Sequence, residues 1–342
     1  MDVVSENNFC FALPKIELHA HLNGSLSDKI LRILGCREED VQDYQCASVD
    51  QRNLDDTFKK FGIAHKATYC PEAVYIATKN VIEEFSQENV IYLELRTTPR
   101  YEVGMSSETY VESVVRGIQD TKNHMMVKLI LSLNRQHSIE KCQNHLDLIL
   151  KMRSKYPDII QGIDLSGNPI HGSFNELKYL FEKARKAGLS TTIHCGEIEN
   201  SEEIKEVLAF KPDRLGHACY IHPNYNGCEK NWYQLKELKI PTEICLSSNV
   251  ITGTCDYENH HVQEWIKDDL PFSLNTDDKG VFKTSLTQEF QYAMKFLNLS
   301  SSELWRISMN AIEHSFANSE EKSFLKSKLV DWKNKNLHFF TK

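Results

Sequence analysis

Short apolar runs alternate with longer helical stretches along this sequence, and this feature most constrains its fold. Eight runs rich in β-branched and apolar residues predict strands, and the stretches between them have helical periodicity. Such alternation indicates βα units around a parallel sheet, and eight strands close a (β/α)8 TIM barrel of the α/β class. The predicted strands are Lys15–His19, Val90–Arg96, Val127–Leu133, Ile159–Leu165, Leu189–His194, Arg214–His217, Pro241–Cys245 and Phe272–Asn275.

The residues between the predicted strands follow helical rules. Phe174–Lys186 places its apolar residues on one stripe before Gly188, and Pro71 suits the first turn of another helix. Residues 22–89 are too many for one βα connection, so we expect extra helices over the C-terminal mouth of the barrel. The tail from Ser300 is helical in pattern, with no Gly or Pro to interrupt it. We expect a single domain, residues 1–342.

Composition excludes several classes of protein. The 342 residues are 41% hydrophobic and 26% charged, which is ordinary for a globular protein. A net charge of −8 argues against nucleic-acid binding, because such surfaces are usually basic, and no apolar run is long enough to span a membrane. The ten cysteines are scattered, with no Cys-x-x-Cys pair and no signal-peptide pattern before them, so we expect reduced thiols in a cytoplasmic protein.

Residues that suit metal binding stand where predicted strands end. His19 and His21 end the first strand, His194 ends the fifth, and Asp277 follows the eighth. Barrel enzymes place their chemistry at the carboxyl ends of strands, and residues two apart in a strand point to the same side. Three imidazoles and a carboxylate suit one Zn2+ with an open position for water. Iron, cobalt and manganese remain open on these ligands alone.

Three further residues near the strand ends can take part in a reaction. Glu197 follows His194 in His-Cys-Gly-Glu, where Gly196 lets the chain turn the carboxylate toward a water on the metal. His217 can orient that water and help to deprotonate it. Gly167 either serves a tight turn or lets a substrate approach the backbone N–H. Alone, Glu197 also fits a surface glutamate and His217 a core histidine. The position of Glu197 beside a metal ligand favours catalysis, while both interpretations of Gly167 stay open.

Six short motifs follow one another along nearly the whole chain. They are His19-Ala-His-Leu-Asn-Gly-Ser25, Leu165-Ser-Gly-Asn-Pro169, His194-Cys-Gly-Glu197, Arg214-Leu-Gly-His217, Cys245-Leu-Ser-Ser-Asn249 and Asn275-Thr-Asp-Asp-Lys-Gly280. In this order they resemble the adenosine and AMP deaminases of the amidohydrolase superfamily, and they are most similar to the adenosine deaminase-like N6-methyl-AMP deaminases. The resemblance implies an amidohydrolase-type barrel and hydrolytic removal of the 6-amino or 6-alkylamino group of a purine.

The resemblance also implies the roles of the metal-side residues. One Zn2+ per chain is held by His19, His21, His194 and Asp277, and water activated there attacks purine C6. Glu197 donates a proton to ring nitrogen N1, which makes C6 electrophilic. With a methylated nucleotide the products are IMP and methylamine.

Other residues are expected to hold the purine ring. By the same resemblance, Asp278 holds N7, the backbone of Gly167 holds N3, His21 contacts the substrate as well as the metal, and His217 assists while the tetrahedral centre forms at C6. An amine then leaves from C6.

The prediction for the 5′ end of the substrate depends on fewer residues. Adenosine deaminases resemble this chain but have an aspartate where Asn23 stands. A carboxylate there repels a phosphate, whereas an amide can donate a hydrogen bond to it, so Asn23 favours a purine nucleoside 5′-monophosphate as the partner. His65 matches another nucleotide contact. The phosphate-side segment of the family corresponds to Thr97, Thr98, Pro99 and Arg100.

One residue departs from the family pattern, and two other functions remain open. Asn134 stands where close relatives carry an aspartate expected to touch the nucleotide, and its amide can still bond the ribose. An adenosine or adenine deaminase shares the metal and purine residues, and a non-catalytic nucleotide sensor keeps the pocket without turnover. By resemblance we expect a monomer.

Overall fold

Eight parallel strands in the described residues form one sheet that follows chain order from β1 to β8. The structure is a computed structural model that describes residues 3–44, 54–121 and 124–340. The strands coincide with the predicted ones to within a few residues, and β1 continues two residues further, to His21. They are β1 Lys15–His21, β2 Val90–Thr97, β3 Met126–Asn134, β4 Ile160–Ser166, β5 Ser190–Cys195, β6 Arg214–His217, β7 Thr242–Ile244 and β8 Phe272–Leu274.

The sheet closes on itself just beyond the end of β8. Ala20 and Asp277 form a parallel bridge, in which the His21 N–H donates to the Asp277 carbonyl at 2.9 Å and the Asp277 N–H donates to the His19 carbonyl at 2.8 Å. The Leu18 N–H donates to the Asn275 side chain at 3.0 Å. The predicted barrel is therefore confirmed, and the bonds that close it lie next to the candidate metal ligands.

Helices follow the strands as the sequence predicts. Phe174–Lys186 is a helix with the predicted bounds, Gly188 follows it with φ +83°, and Pro71 begins another helix. The helices are α1 Val3–Ala12, α2 Asp28–Ile33, α3 Glu38–Tyr44, α4 Leu54–Ala67, α5 Pro71–Gln87, α6 Ser107–Gln119, α7 Ile139–Lys155, α8 Phe174–Lys186, α9 Ser201–Phe210, α10 Glu229–Leu238, α11 Leu246–Ile251, α12 Val262–Lys267, α13 Leu286–Leu297, α14 Ser301–His314 and α15 Ser319–Lys335.

The long connection after β1 contains the extra helices that its length predicts. α2, α3 and α4 precede α5, and α4 contributes Thr57, Phe61 and His65 to the wall of the cavity at the C-terminal mouth of the barrel. None of the described helices is both long and apolar enough to cross a membrane.

The C-terminal tail is helical, as its sequence pattern predicts, but it divides into two helices, α14 and α15. Ser315 has an extended backbone, and the Phe316 N–H donates to Glu94 Oε1 at 2.5 Å. The Arg214 guanidinium lies 3.6 Å from the centre of the Phe316 ring. A capping box at Asn318 then starts α15. Contacts with the base of the barrel, rather than Gly or Pro, end the first helix.

Candidate active site

A cavity of about 500 Å³ opens at the carboxyl ends of the strands. It brings together nearly all of the residues that the sequence singles out, and His19 lies buried beside it. The predicted residues that line the cavity are His21, Asn23, His65, Thr97, Thr98, Pro99, Arg100, Asn134, Gly167, His194, Glu197, His217, Asp277 and Asp278.

The four predicted metal ligands converge at the base of this cavity. Asp277 Oδ1 lies 3.2 Å from His19 Nε2 and 3.3 Å from His21 Nε2. His21 Nε2 and His194 Nε2 are 3.1 Å apart. His217 belongs to the same cluster, since potential ligand atoms of His19, His194, His217 and Asp277 all lie within 4.8 Å of one another. Three or four nitrogens and a carboxylate oxygen thus face one point.

Two buried carboxylates orient the imidazoles from behind. Glu243 Oε2 lies 2.6 Å from His19 Nδ1, and Asp164 Oδ1 lies 2.9 Å from His194 Nδ1. A carboxylate accepts the Nδ1 proton, so the Nε2 lone pair points into the site, as in histidines that bind metals. His19 Nε2 is buried, and apart from the Asp277 carboxylate at 3.2 Å it has no hydrogen-bond partner in the described part of the chain. This donor set therefore fits a divalent cation such as Zn2+.

The charges around His19 hold a proton on it while no cation is bound. Burial and Arg96 act to lower the pKa of His19, but Glu243 and Asp277 outweigh them and raise it to about 9. By contrast, burial, together with the neighbouring histidines, outweighs Asp277 and lowers the pKa of His21 well below its usual value. A cation at the cluster must therefore displace the proton of His19.

A network of buried ion pairs continues beneath the histidines inside the barrel. Arg96 donates to Glu243 at 2.9 Å and reaches Asp164 at 3.3 Å, while Arg214 Nε donates to Glu243 at 2.6 Å. Arg214 also pairs with Glu94. Our sequence interpretation missed these residues. The available signal was a charged residue within otherwise apolar strands, which is rarely buried unless it is paired.

Two acids of the cavity have raised pKa values. Burial raises the pKa of Glu197, and its Oε2 is buried without a hydrogen-bond partner among the described residues. Burial, Asp277 and Glu197 raise the pKa of Asp278 well above its usual value. Gly196 has φ +67°, which gives the turn that places Glu197. A β-carbon at Gly24 would overlap the Asp278 carboxylate, so position 24 has room only for glycine.

Two residues of the site have a strained backbone. His217 and Asp277 have φ values of +62° and +59°, in the left-handed region that residues with a side chain rarely adopt. The Ser248 hydroxyl donates to Asp277 Oδ2 at 2.7 Å, and Asn249 Nδ2 lies 3.1 Å from His217 Nδ1. These two polar residues, from one of the six motifs, fix the side chains that the strained backbone presents.

Asn23 also lines the cavity and is held by neutral side chains. Its Nδ2 donates to the Tyr110 hydroxyl at 3.3 Å, and the Thr68 hydroxyl donates to its Oδ1 at 3.4 Å. The Tyr110 hydroxyl is also 2.6 Å from Thr97 Oγ1. The groups that hold Asn23 are therefore neutral, and the cation Arg100 bonds the same Thr68 hydroxyl at 2.8 Å.

Arg100 and Asn134 complete the cavity wall. Arg100 donates through Nη1 to the His65 carbonyl at 2.9 Å and through Nη2 to the Thr68 carbonyl at 2.5 Å. Asn134 Oδ1 accepts from the Gln136 N–H at 2.9 Å. A β-carbon at position 167 would overlap Asn134, and the φ of +99° there is also suited to glycine.

Comparison with known proteins shows the family of this chain. The adenosine deaminase family model matches residues 14–332. The chain belongs to the adenosine deaminase family. It is 37% identical to a protein named N6-mAMP deaminase from Arabidopsis thaliana, over 92% of this chain and 96% of that protein. It is 35% identical to the N6-methyl-AMP deaminase of Homo sapiens, over 97% of each chain.

A solved structure in the family also matches the fold. The crystal structure of Arabidopsis ADAL complexed with IMP has a TM-score of 0.86 and 36% identity, covering 96% of this chain and 99% of that one. The chain is therefore a deaminase, which is a hydrolase that acts on C–N bonds. Enzymes of this family depend on a metal, and the His and Asp cluster of this chain is suited to bind one.

Proposed function

We propose that this protein is a zinc-dependent deaminase that hydrolyses N6-methyl-AMP to IMP and methylamine. The observation that carries the proposal is the convergence of His19, His21, His194 and Asp277 in one cavity with the acids Glu197 and Asp278. The names of the relatives and the IMP complex of one of them support a methylated purine monophosphate as the substrate.

The four ligands would hold the zinc ion, with Glu243 and Asp164 keeping the imidazoles of His19 and His194 in place. Bound there, Zn2+ supplies Lewis-acid chemistry that lowers the pKa of a water molecule to about 7.

Glu197 would act as the proton donor to purine N1. Its raised pKa favours the protonated acid, and its buried Oε2 has no partner in the described part of the chain that competes for the proton. Protonating N1 withdraws electrons from C6 and makes that carbon accept a water oxygen more readily. A positioned general acid of this kind contributes roughly 10²- to 10⁴-fold to a rate.

Asp278 and Gly167 would fix the purine. With its pKa raised, Asp278 can present an O–H to the lone pair of N7, and its Oδ1 is a buried atom without a partner among the described residues. The N–H of Gly167 would reach N3, because glycine lets the ring approach the backbone closely. Acceptor atoms on opposite edges of the purine then set its orientation.

His217 would orient the attacking water. Burial lowers its pKa well below the usual value, so the ring is neutral. Asn249 Nδ2 is a donor, and at 3.1 Å from Nδ1 it leaves the ring proton on Nε2. In this tautomer His217 holds water and stabilises the oxygen at the tetrahedral C6 by donating, rather than by removing a proton as the sequence interpretation also allowed.

The 5′ end of the nucleotide would be surrounded by Asn23, His65, Thr97, Thr98, Pro99 and Arg100, and the ribose would lie against Asn134.

The first test follows turnover of the zinc-loaded protein on N6-methyl-AMP, AMP and adenosine by ultraviolet absorbance. We expect the highest kcat/KM for N6-methyl-AMP. A preference for adenosine would identify an adenosine deaminase, and nucleotide binding without product would identify a sensor.

The Asn23→Asp variant tests recognition of the 5′ end. We expect kcat/KM to fall about tenfold or more for N6-methyl-AMP and much less for N6-methyladenosine, because two negative groups at hydrogen-bond distance repel. Steady-state kinetics on both substrates measures the difference. Equal losses on the two would remove the argument from Asn23.

A further inference from the structure

The cavity has a positive group that the proposed roles leave unused. Among the described residues, three that line it carry a permanent positive charge: Arg96, Arg100 and Lys141. Arg96 is buried beneath the histidines and paired with Glu243 and Asp164. It neutralises the carboxylates that orient the metal ligands, so its charge serves the base of the cavity.

Arg100 is also occupied by the protein itself. Its Nη1 donates to the His65 carbonyl and lies 3.4 Å from Glu102 Oε1, and its Nη2 donates to both the carbonyl and the hydroxyl of Thr68. The guanidinium further lies 5.2 Å from the centre of the Tyr110 ring. Arg100 therefore ties α4 to the cavity wall, and most of its N–H groups are not directed at a ligand.

Lys141 differs from the two arginines, because it forms no ion pair with a carboxylate among the described residues. In residues 3–44, 54–121 and 124–340 no carboxylate oxygen lies within 4.0 Å of its Nζ, and its hydrogen-bond partner there is His137 Nε2 at 3.0 Å. Burial, Lys141 and His145 lower the pKa of His137 to about 4, so His137 is neutral and accepts a hydrogen bond. The ammonium has three N–H groups, of which His137 uses one.

The position of Lys141 fits the sugar and phosphate side of a nucleotide. It lies in the first turn of α7, directly after β3, and β3 pairs with β2 on one side and with β4 on the other. In the proposed orientation the purine N3 faces Gly167 after β4, and the 5′ end faces the segment after β2. The chain between N9 and the phosphate then passes the end of β3, where Asn134 is neutral and does not cancel the charge.

We propose that Lys141, held in place by His137, pairs with the 5′-phosphate of the nucleotide and sets the preference of this site for a monophosphate over a nucleoside. This rests on the proposed function. Lys141 is thus the specificity-determining cation at the phosphate, and His137 is a positioning residue that acts through it.

The test compares Lys141→Gln with the unchanged protein on N6-methyl-AMP and N6-methyladenosine. A hydrogen bond to a charged group corresponds to about 10- to 100-fold in affinity, so we expect KM for the monophosphate to rise by that factor with kcat nearly unchanged. The nucleoside should show no change. Lys141→Arg keeps the charge and should restore most of the preference.

Two controls separate binding from structure. Lys151→Gln removes a lysine of the same helix that pairs with Glu108 at 2.7 Å, and it should leave both substrates unaffected. His137→Leu removes the acceptor and should raise KM for the monophosphate alone by several-fold, whereas His137→Gln keeps an acceptor and should not. Equal effects of Lys141→Gln on both substrates, or none on the monophosphate, would overturn the proposal.

Calorimetric binding of IMP and inosine gives a readout that does not need turnover. Lys141→Gln should weaken the binding of IMP but not that of inosine. Added salt should weaken the binding of IMP less in the variant than in the unchanged protein. If the unchanged protein fails to turn over N6-methyl-AMP but shows this difference, the proposed function fails and the role of Lys141 stands. If the variant binds IMP and inosine with the same affinities as the unchanged protein does, the proposed role of Lys141 is wrong.

Discussion

At the scale of single residues, the site depends on carboxylates with different protonation. Asp164 and Glu243 are held ionised by arginines and histidines, since the pKa of each lies below its usual range. Glu197 and Asp278 face the cavity and form no ion pair among the described residues, and burial raises the pKa of both. Similar side chains therefore orient imidazoles in one layer and, in the proposed mechanism, present protons to a purine in the next.

Glu197→Gln tests the proton donor. Glutamine keeps the size of the side chain but cannot donate an acidic proton, so we expect zinc to be retained and kcat to fall by about 10²- to 10⁴-fold. Metal analysis and steady-state kinetics on the same sample measure the two quantities. Glu199→Gln, two residues further along on an exposed side chain, should behave like the unchanged protein. Near-normal turnover by the Glu197 variant would contradict the assignment.

At the scale of helices and strands, local patterns predicted most of the fold. Apolar runs gave the eight strands, and the length of residues 22–89 indicated the extra helices over the mouth, because both are properties of contiguous sequence. The candidate metal ligands were predictable for the same reason, as they all stand at strand ends.

Features that depend on distant partners were not predictable. Glu243 reaches His19 only because β7 and β1 meet across the closed barrel, 224 residues apart in sequence. Lys141 has the sequence context of an ordinary exposed lysine, and only the connection after β3 brings it to the cavity. The break between α14 and α15 likewise follows from contacts of Phe316 with the base of the barrel.

Phe316→Ala tests how the tail is attached to the barrel. The variant loses the contacts of the ring with Gly162 and the Arg214 guanidinium, and we expect the free energy of unfolding to fall by about 2 kcal/mol for a partly buried phenylalanine. Denaturant unfolding of the zinc-loaded protein measures it. KM should not change, because this end of the barrel is opposite the cavity. Phe324→Ala, on the exposed side of α15, is the control and should cost much less.

At the scale of the whole molecule, one polar network joins the two ends of the barrel. His19 contacts Glu243, Glu243 pairs with Arg214, and Arg214 reaches Glu94 and the carbonyl of His314 in the tail. All of the charged members are buried, so each needs the others. Metal binding at the top of the barrel is thereby linked to the protonation and the stability of the fold beneath it.

This link predicts that zinc affinity depends on pH. The pKa of His19 is raised to about 9 without metal, so His19 is protonated below pH 9 and zinc must displace that proton. Zinc affinity should therefore increase about tenfold per pH unit as pH rises from 7 toward 9, and level off above it. Competition with a chelator at several pH values measures the slope.

Stability should follow the same course. Zinc at 100 times its dissociation constant adds about 2.7 kcal/mol to the free energy of unfolding, and this increment at a fixed zinc concentration should diminish as pH falls from 9 to 7. Glu243→Gln removes the main group that raises the pKa of His19, so the pH slope of zinc binding should flatten even though the affinity at high pH also falls. A pH-independent affinity in the unchanged protein would show that His19 is already neutral before the metal arrives.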